Sequence, residues 1–447
     1  MLPLDLKEQP AILRLLARAL ITGEQEERSA AGRLEAAVGK RWRSLPGLAE
    51  RYLEAFAGRK RPGVQDVVEF LLGDTGFRRV RHRLFYGVPS RSWVTEPDGM
   101  RPVAAAAGWE IPAIDSVGGL ADWLGITPWD LEWFADRKGL CRRWPDSPLH
   151  HYLYRVVAKR SGDFRLIEAP KPRLKTLQKL ILTEILDRIP AHTAAHGFVR
   201  GRSTKSFAAP HVGQRVVLRM DLRDFFPSIF SGRVQAFFRM AGYPDEVSSF
   251  LAGICTNAVA DTVWTPHRLR IGVERAFELR RQYGGRHLPQ GAPTSPALAN
   301  FCAYRLDCRL TGLATAAGAV YTRYADDLAF SGGENFGRRV DRFADHVGAI
   351  VLEEGFEAHY RKTRVMRAGV RQALAGLVVN ERLNVSRAEF DGLKATLTNC
   401  VRMGPEGQNR EGVADFRAHL LGRVGFVESV NAARGAKLRG LFERIVW

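Results

Sequence analysis

Apolar positions at the start of the chain recur with a helical period. Leu13, Leu16 and Leu20 fall on one stripe, and Val67, Val68, Phe70 and Leu71 form a second behind Pro62-Gly63, so helices are predicted between Ala11 and about Leu72. From about Gly73 to Pro112, glycine, proline and arginine interrupt the pattern, and the stretch reads as an irregular basic connector with no visible chemistry. Two short helices are expected between Ser116 and Ala135. Leu120, Trp123 and Leu124 precede Gly125-Ile126-Thr127, and Pro128 takes a helix N1 position ahead of Leu131 and Phe134. That spacing is helix-turn-helix-like, a motif that can place a helix in a major groove. Trp129, Asp130, Glu132 and Asp136 suit phosphate poorly, however, and a helical pair packed against the next domain is the simpler reading. Strand-like and helical runs alternate from His151 to Asn380, the mark of an α/β or α+β domain. After Val385 the pattern is helical again, through Leu393, Leu397 and Val401, then Leu420, Val424, Leu438, Leu441 and Phe442.

Composition narrows the partner. The 447 residues are enough for two to four packed units, and 45% hydrophobic residues supply a sizeable core. Lys and Arg total 67 against 48 Asp and Glu, a net charge of +19 that favours polyanions, although a solvated basic face would show the same excess. The five cysteines form no CxxC pair, so neither a disulfide framework nor a zinc site is expected, and a reducing cytoplasm fits. No secretory leader pattern and no long apolar run is present, so no membrane association is expected.

Three segments carry chemistry. Val216-Val217-Leu218-Arg219-Met220 reads as a buried strand with Asp221 at its carboxyl end, followed by a helix opening after Ser231. Alone, Asp221 is better explained as a turn or cap residue. Within Ala319–Ser331 two β-type runs flank Ala325-Asp326-Asp327, which fits a hairpin with adjacent acids at its tip. Neighbouring carboxylates between apolar strands repel unless a cation offsets them. Two divalent ions about 4 Å apart are the usual means of phosphoryl transfer, and Mg²⁺ needs only a few carboxylates beside substrate phosphates. Between these two segments lies His287-Leu288-Pro289-Gln290-Gly291-Ala292-Pro293-Thr294-Ser295-Pro296. It is a glycine loop running into a helix N-terminus, suited to a nucleotide or template strand.

The order carboxylate strand, glycine loop, Asp-Asp hairpin closely resembles motifs A, B and C of reverse transcriptases, and the similarity runs from about His151 to Trp447. The resemblance implies an α+β right-hand polymerase with a helical N-terminal extension. Its parts would be an extension over 1–105, a helix-turn-helix-like lead-in over 106–150, fingers and palm over 151–384, and a helical thumb over 385–447. It also implies two Mg²⁺ ions held by Asp221, Leu222, Asp326 and Asp327, with Lys362 as proton donor to the departing pyrophosphate or as a phosphate contact. Lys159 and Arg165 would contact the incoming triphosphate; a basic surface hairpin is the plainer reading. Phe226 would exclude a ribose 2′-OH, its plainer role being core, and Gln290 would lie by the nucleotide sugar. Arg200 and Arg202 of the Gly197-Phe198 block, His211, and Arg423, Lys437 and Arg439 of the tail would contact nucleic acid. For the tail, a helical bundle with a solvated basic face is the alternative.

Within that family the closest likeness is to bacterial retron enzymes, through Leu288–Pro296, Tyr324–Asp327, Gly376-Leu377-Val378-Val379-Asn380 and the basic tail. Two blocks depart from the retron pattern. Phe207-Ala208-Ala209-Pro210-His211 stands where Asn-Ala-x-x-His is usual, and Leu374-Ala375-Gly376 where Val-Thr-Gly is usual. Retron likeness implies a cytoplasmic ribonucleoprotein in antiphage defence. It would take dNTPs and a structured noncoding RNA, make RNA-linked single-stranded DNA, and act with a separate effector protein. Other bacterial reverse transcriptases (defence-associated, diversity-generating or intron-related) and a catalytically silent RNA-binding protein are the alternatives. The intact Asp221, Asp326 and Asp327 speak against the last.

Overall fold

The computed structural model describes residues 9–21, 25–38, 43–58, 62–85, 99–140, 150–158, 164–269 and 271–447. The chain divides into two compact units that are discontinuous in sequence. One comprises residues 1–156, 169–188 and 230–286; the other comprises 157–168, 189–229 and 287–447.

The first unit begins with α1 (Gln9–Ile21), α2 (Glu27–Val38), α3 (Leu45–Ala55), α4 (Val64–Gly73) and α5 (Thr75–Phe85). The two apolar stripes read from the sequence close one core, in which Leu16, Leu20, Leu34, Leu48, Tyr52, Val67, Leu71 and Phe77 are buried. Helix α5 falls where an irregular connector was expected. Asp74 starts it, accepting from the Phe77 amide at 2.6 Å, and Gly76 leaves space for Arg51, whose guanidinium a Cβ there would meet at 2.4 Å. The next pair, α6 (Val117–Leu124) and α7 (Pro128–Ala135), is capped by Ser116 and Thr127, and Gly125 at φ +66° ends α6. Later in the unit come α8 (Pro172–Glu184), α9 (Ser231–Met240), α10 (Asp245–Cys255) and α11 (Val273–Tyr283). Helix α7 packs on α10, where Gly253 admits Ala135 so closely that a Cβ would stand 2.6 Å from the Ala135 carbonyl. Arg286 fastens the same junction by donating to the carbonyls of Ala135, Asp136, Gly253 and Thr256.

The second unit holds a four-stranded antiparallel sheet. Its strands are β3 (Val216–Asp221), β4 (Ala319–Tyr324), β5 (Asp327–Gly332) and β6 (Arg364–Arg367), in the order β4-β5-β3-β6. Two earlier strands, β1 (Tyr152–Ala158) and β2 (Phe164–Pro170), fall where the chain passes between the units. Helices α12 (Ser295–Cys302), α13 (Tyr304–Ala316) and α14 (Val340–Glu353) belong to the second unit. So do three short strands, β7 (Ala373–Leu374), β8 (Leu377–Val378) and β9 (Asn384–Val385), and helices α15 (Arg387–Met403), α16 (Phe416–Val430) and α17 (Ala432–Phe442). Leu374, Leu377, Val385, Leu393, Leu397, Leu420, Val424 and Leu438 join these last strands and helices into one core.

Candidate active site

Val216 to Asp221 is a central strand that alternates little and is almost wholly buried, which marks both of its faces as covered. Its register against β5 sets Asp221 opposite Asp327 and Arg219 opposite Ala329. Directly paired residues of antiparallel strands share a face, and so do residues two apart on one strand. Asp221, Asp327 and Arg219 therefore project together. Strands β4 and β5 meet in a two-residue turn, with Tyr324 paired to Asp327 and Ala325 at φ +54°, a conformation a non-glycine residue adopts at some cost. The turn is tied to the end of β3, since the Leu222 amide donates to the Asp326 carbonyl at 2.8 Å. On the other side the His359 amide donates to the Asp221 carbonyl at 2.7 Å, which brings the helical turn Tyr360–Lys362 against the same carboxylates.

Each of two acids has a cation. Lys362 Nζ donates to Asp221 Oδ1 at 2.8 Å, and Arg219 donates to Asp327 Oδ1 through Nε at 2.9 Å and Nη2 at 2.6 Å. No side chain among the described residues ion-pairs with Asp326. Burial, and then the charges of Asp221 and Asp327, push its carboxyl up to about 6. Burial also raises Asp327, with Arg219 working against that rise. A carboxylate crowded by two others, with the Lys362 charge nearby but no ion pair of its own among the described residues, suits a divalent cation. The three acids are not arranged as a ready-made cluster, however: no group of three metal-ligating side chains forms among the described residues. Lys362 and Arg219 take up part of their capacity. Leu222 is buried and apolar, so its backbone alone is available to a metal.

Beneath the turn lies a polar core that the sequence reading missed. Arg323 and Asp307 are both fully buried and bonded twice, Nε to Oδ1 at 2.8 Å and Nη2 to Oδ2 at 2.6 Å. Tyr321 donates to the same Asp307 at 2.8 Å. Arg323 Nη1 reaches on to Asn300 Oδ1 at 3.0 Å and to the Ala325 carbonyl at 3.1 Å, holding the turn from below. Asn300 in turn donates to the Gly197 carbonyl at 2.9 Å. A Cβ on Gly197 would stand 2.5 Å from the Ala325 amide, so only glycine fits. The available signal was Arg323 itself, because a charge inside a buried strand requires a partner.

Phe226 is half-buried, its ring 6.1 Å from that of Phe198 and 5.7 Å from that of Phe225, while Phe198 also lies 6.3 Å from Tyr324. Gln290 is half-buried, and its carbonyl accepts from the Glu168 amide at 2.8 Å. Gly291, at φ +133°, brings its backbone so near that a Cβ would be 2.9 Å from the Glu168 carbonyl. His287 and Glu168, both buried, bond at 3.0 Å under the same loop. Arg165 is exposed on β2, and Lys159 lies outside the described residues. Arg200 and Lys437 are exposed and Arg423 is half-exposed.

Three expected nucleic-acid contacts are placed otherwise. His211 is fully buried, and its ring nitrogens bond Ser331 Oγ and Thr322 Oγ1, both at 2.7 Å, so it is a core residue without a polar atom to offer a ligand. Arg202 donates to the carbonyls of His192, Thr193 and Ala195 and braces its own loop. Arg439 pairs with Glu428 through Nε at 2.9 Å.

Residues 157–394 match the family model for reverse transcriptase (RNA-dependent DNA polymerase), which is more than half of the chain. The chain belongs to the reverse transcriptase family. Several of its curated relatives are retron reverse transcriptases. It is 42% identical over 294 residues to the retron Mx65 reverse transcriptase of Myxococcus xanthus, and 37% identical over 338 residues to the retron Mx162 reverse transcriptase of the same organism. The matches cover 66% and 72% of this chain, and each covers 65% of the relative. The retron Ec86 reverse transcriptase of Escherichia coli is 31% identical over 292 residues, covering 64% of this chain and 79% of the relative. The chain thus spans just under two thirds of the length of its two Myxococcus relatives.

Proposed function

We propose that the chain is an RNA-directed DNA polymerase of a retron, copying a structured noncoding RNA into RNA-linked single-stranded DNA. The observation that carries this reading is the placement of Asp221, Asp326 and Asp327 at one strand end and one hairpin turn, in a chain of the reverse transcriptase family. In this reading residues 151–384 are fingers and palm, 385–447 are thumb, and the helices before residue 105 are an added extension.

Asp221, Asp326 and Asp327, with the backbone of Leu222, would hold two Mg²⁺ ions, whose chemistry is to activate the attacking oxygen and stabilise the leaving one. The chain's own residues do the rest. Lys362, already within reach of Asp221, is placed to pass a proton to the leaving pyrophosphate. Phe226 closes the space next to the sugar and so favours dNTPs, with Gln290 beside it. Arg165 and Lys159 are the cations assigned to the triphosphate. Arg200, Arg423 and Lys437 are the remaining candidates for backbone contact. A cytoplasmic setting, antiphage defence and a separate effector complete the proposal by analogy with the retron type.

Purified chain with Mg²⁺ and a primed RNA template should incorporate dNTPs, and Asp326→Asn should abolish incorporation. Equal activity in that variant would end the metal assignment. Phe226→Ala should admit rNTPs; an unchanged dNTP preference would leave Phe226 as core. For the retron assignment, nucleic acid copurifying with the chain should be covalently branched RNA–DNA, sensitive to both RNase and DNase. Copurification of no specific small RNA would favour another bacterial reverse transcriptase class.

A further inference from the structure

Helix α5, in the N-terminal bundle, lies outside the region matched by the family model and outside the site described above. Its sequence is Thr75-Gly76-Phe77-Arg78-Arg79-Val80-Arg81-His82-Arg83-Leu84-Phe85. Phe77 is in the bundle core, which fixes the helix in rotation, while Arg78 and Arg79 are exposed and Arg81 is half-buried. The one acid at its start is already engaged. Asp74 binds Arg51 of α3 through both oxygens, at 2.7 and 2.9 Å, and caps α5 besides. No carboxylate among the described residues pairs with Arg78, Arg79 or Arg81, although arginines elsewhere in the same unit, such as Arg18 with Glu246 and Arg137 with Glu132, do have partners. The three arginines and Thr75 instead line an open recess of about 400 Å³.

We propose that this recess is a phosphate-backbone site for RNA, a second anchor separate from the polymerase centre. Arginine offers planar paired donors that fit a phosphate's oxygens, and Thr75 adds a hydroxyl. Three guanidiniums without a carboxylate partner among the described residues, set within about one turn of a helix anchored by Phe77, give a fixed charge array, and arranging it costs little on binding. Phe77, the large apolar side chain described on α5, is turned into the core and so offers nothing to a bilayer. The site rests on the reading that the chain works on RNA, but its test does not depend on DNA synthesis.

The test is a fluorescence-anisotropy titration of a labelled RNA hairpin with the full chain over a range of salt. Arg78→Ala/Arg79→Ala/Arg81→Ala should bind at least tenfold more weakly near physiological salt. The slope of log affinity against log salt should fall by about two to three, one phosphate contact per arginine. A charge-matched control, Arg338→Ala/Arg339→Ala/Arg342→Ala, removes three exposed arginines of the other unit and should change the slope less. Circular dichroism checks that each variant is folded, and Arg→Lys at the same three positions should recover the slope in part. An unchanged slope in the α5 variant, or an equal loss in the control, overturns the proposal, leaving α5 as a solvated basic face. Arginine-dependent binding to phosphatidylserine vesicles without arginine-dependent binding to RNA also overturns it, in favour of a membrane surface. If the chain makes no DNA but the arginine-dependent slope persists, the functional reading fails and this site stands.

Discussion

The Lys362 ammonium donates to Asp221 Oδ1 at 2.8 Å, so the first acid of the cluster already has a monovalent cation on it. Any metal binding at Asp221 competes with that bond. Lys362→Met should therefore lower the Mg²⁺ concentration for half-maximal dNTP incorporation several-fold, while the maximal rate falls about a hundredfold if Lys362 is the proton donor proposed above. A Mg²⁺ titration of both proteins separates the two effects. An unchanged Mg²⁺ requirement would mean that the half-exposed ammonium is not a competitor.

Gly197 supports the acid turn by having no side chain. Gly197→Ala places a Cβ 2.5 Å from the Ala325 amide, and backbone cannot yield as a flexible side chain would. Thermal unfolding should show a loss of about 1–3 kcal/mol. Incorporation should fall even at temperatures where the variant is folded, because the strain is delivered one residue from Asp326. Full activity in a folded variant would show that the turn tolerates displacement.

Arg323 and Asp307 stabilise the same turn from inside. Arg323→Met strands a buried carboxylate and should cost about 3–5 kcal/mol, whereas Arg323→Met with Asp307→Leu should recover much of that loss. Denaturant unfolding of the single and double variants measures the coupling. Activity should not return with stability in the double variant, because the bond from Arg323 to the Ala325 carbonyl is still missing.

Burial, and then neighbouring His196, holds His211 down at about 4, against an ordinary value of 6.5. The unfolded chain thus takes up this proton first as the solution is acidified. The stability due to neutral His211 is complete above about pH 6.5 and is lost as pH falls through the window to about 4. His211→Gln should flatten the pH dependence of the melting temperature over that window. If both proteins lose stability equally between neutral pH and pH 5, the acid sensitivity lies elsewhere.

Local features of the chain were readable where one segment contains its own partners. The hairpin carrying Asp326 and Asp327 and the strand ending at Asp221 follow from short apolar runs with β-branched residues, and the start of the helix after Thr127 from Pro128 at its first position. What escaped the reading depends on meetings between distant segments. Arg323 finds Asp307 on a helix, and His211 finds Thr322 and Ser331 across more than a hundred residues. A histidine beside an arginine-rich loop looks the same in sequence whether it faces solvent or core. Arg219 was within reach, since it stands two residues before Asp221 on one strand and must share its face. Helix α5 was read as a connector because Gly73 and Gly76 look like breaks. One of them in fact leaves room for the Arg51 guanidinium that anchors the helix start.

The register of β3 has a consequence for assembly of the fold. With β5 on one edge and β6 on the other, the strand is pinned by two independent ladders, whose registers set Asp221 opposite Asp327 and Arg219 opposite Arg364. A slip of a single residue against either neighbour would turn Asp221 to the opposite surface of the sheet and bring Met220 in its place. Such a misaligned chain would retain its helices, yet lose the pairing of Asp221 with Asp327. Mispaired molecules would thus be well formed and inert, and a double-edged clamp on one short strand makes them rare.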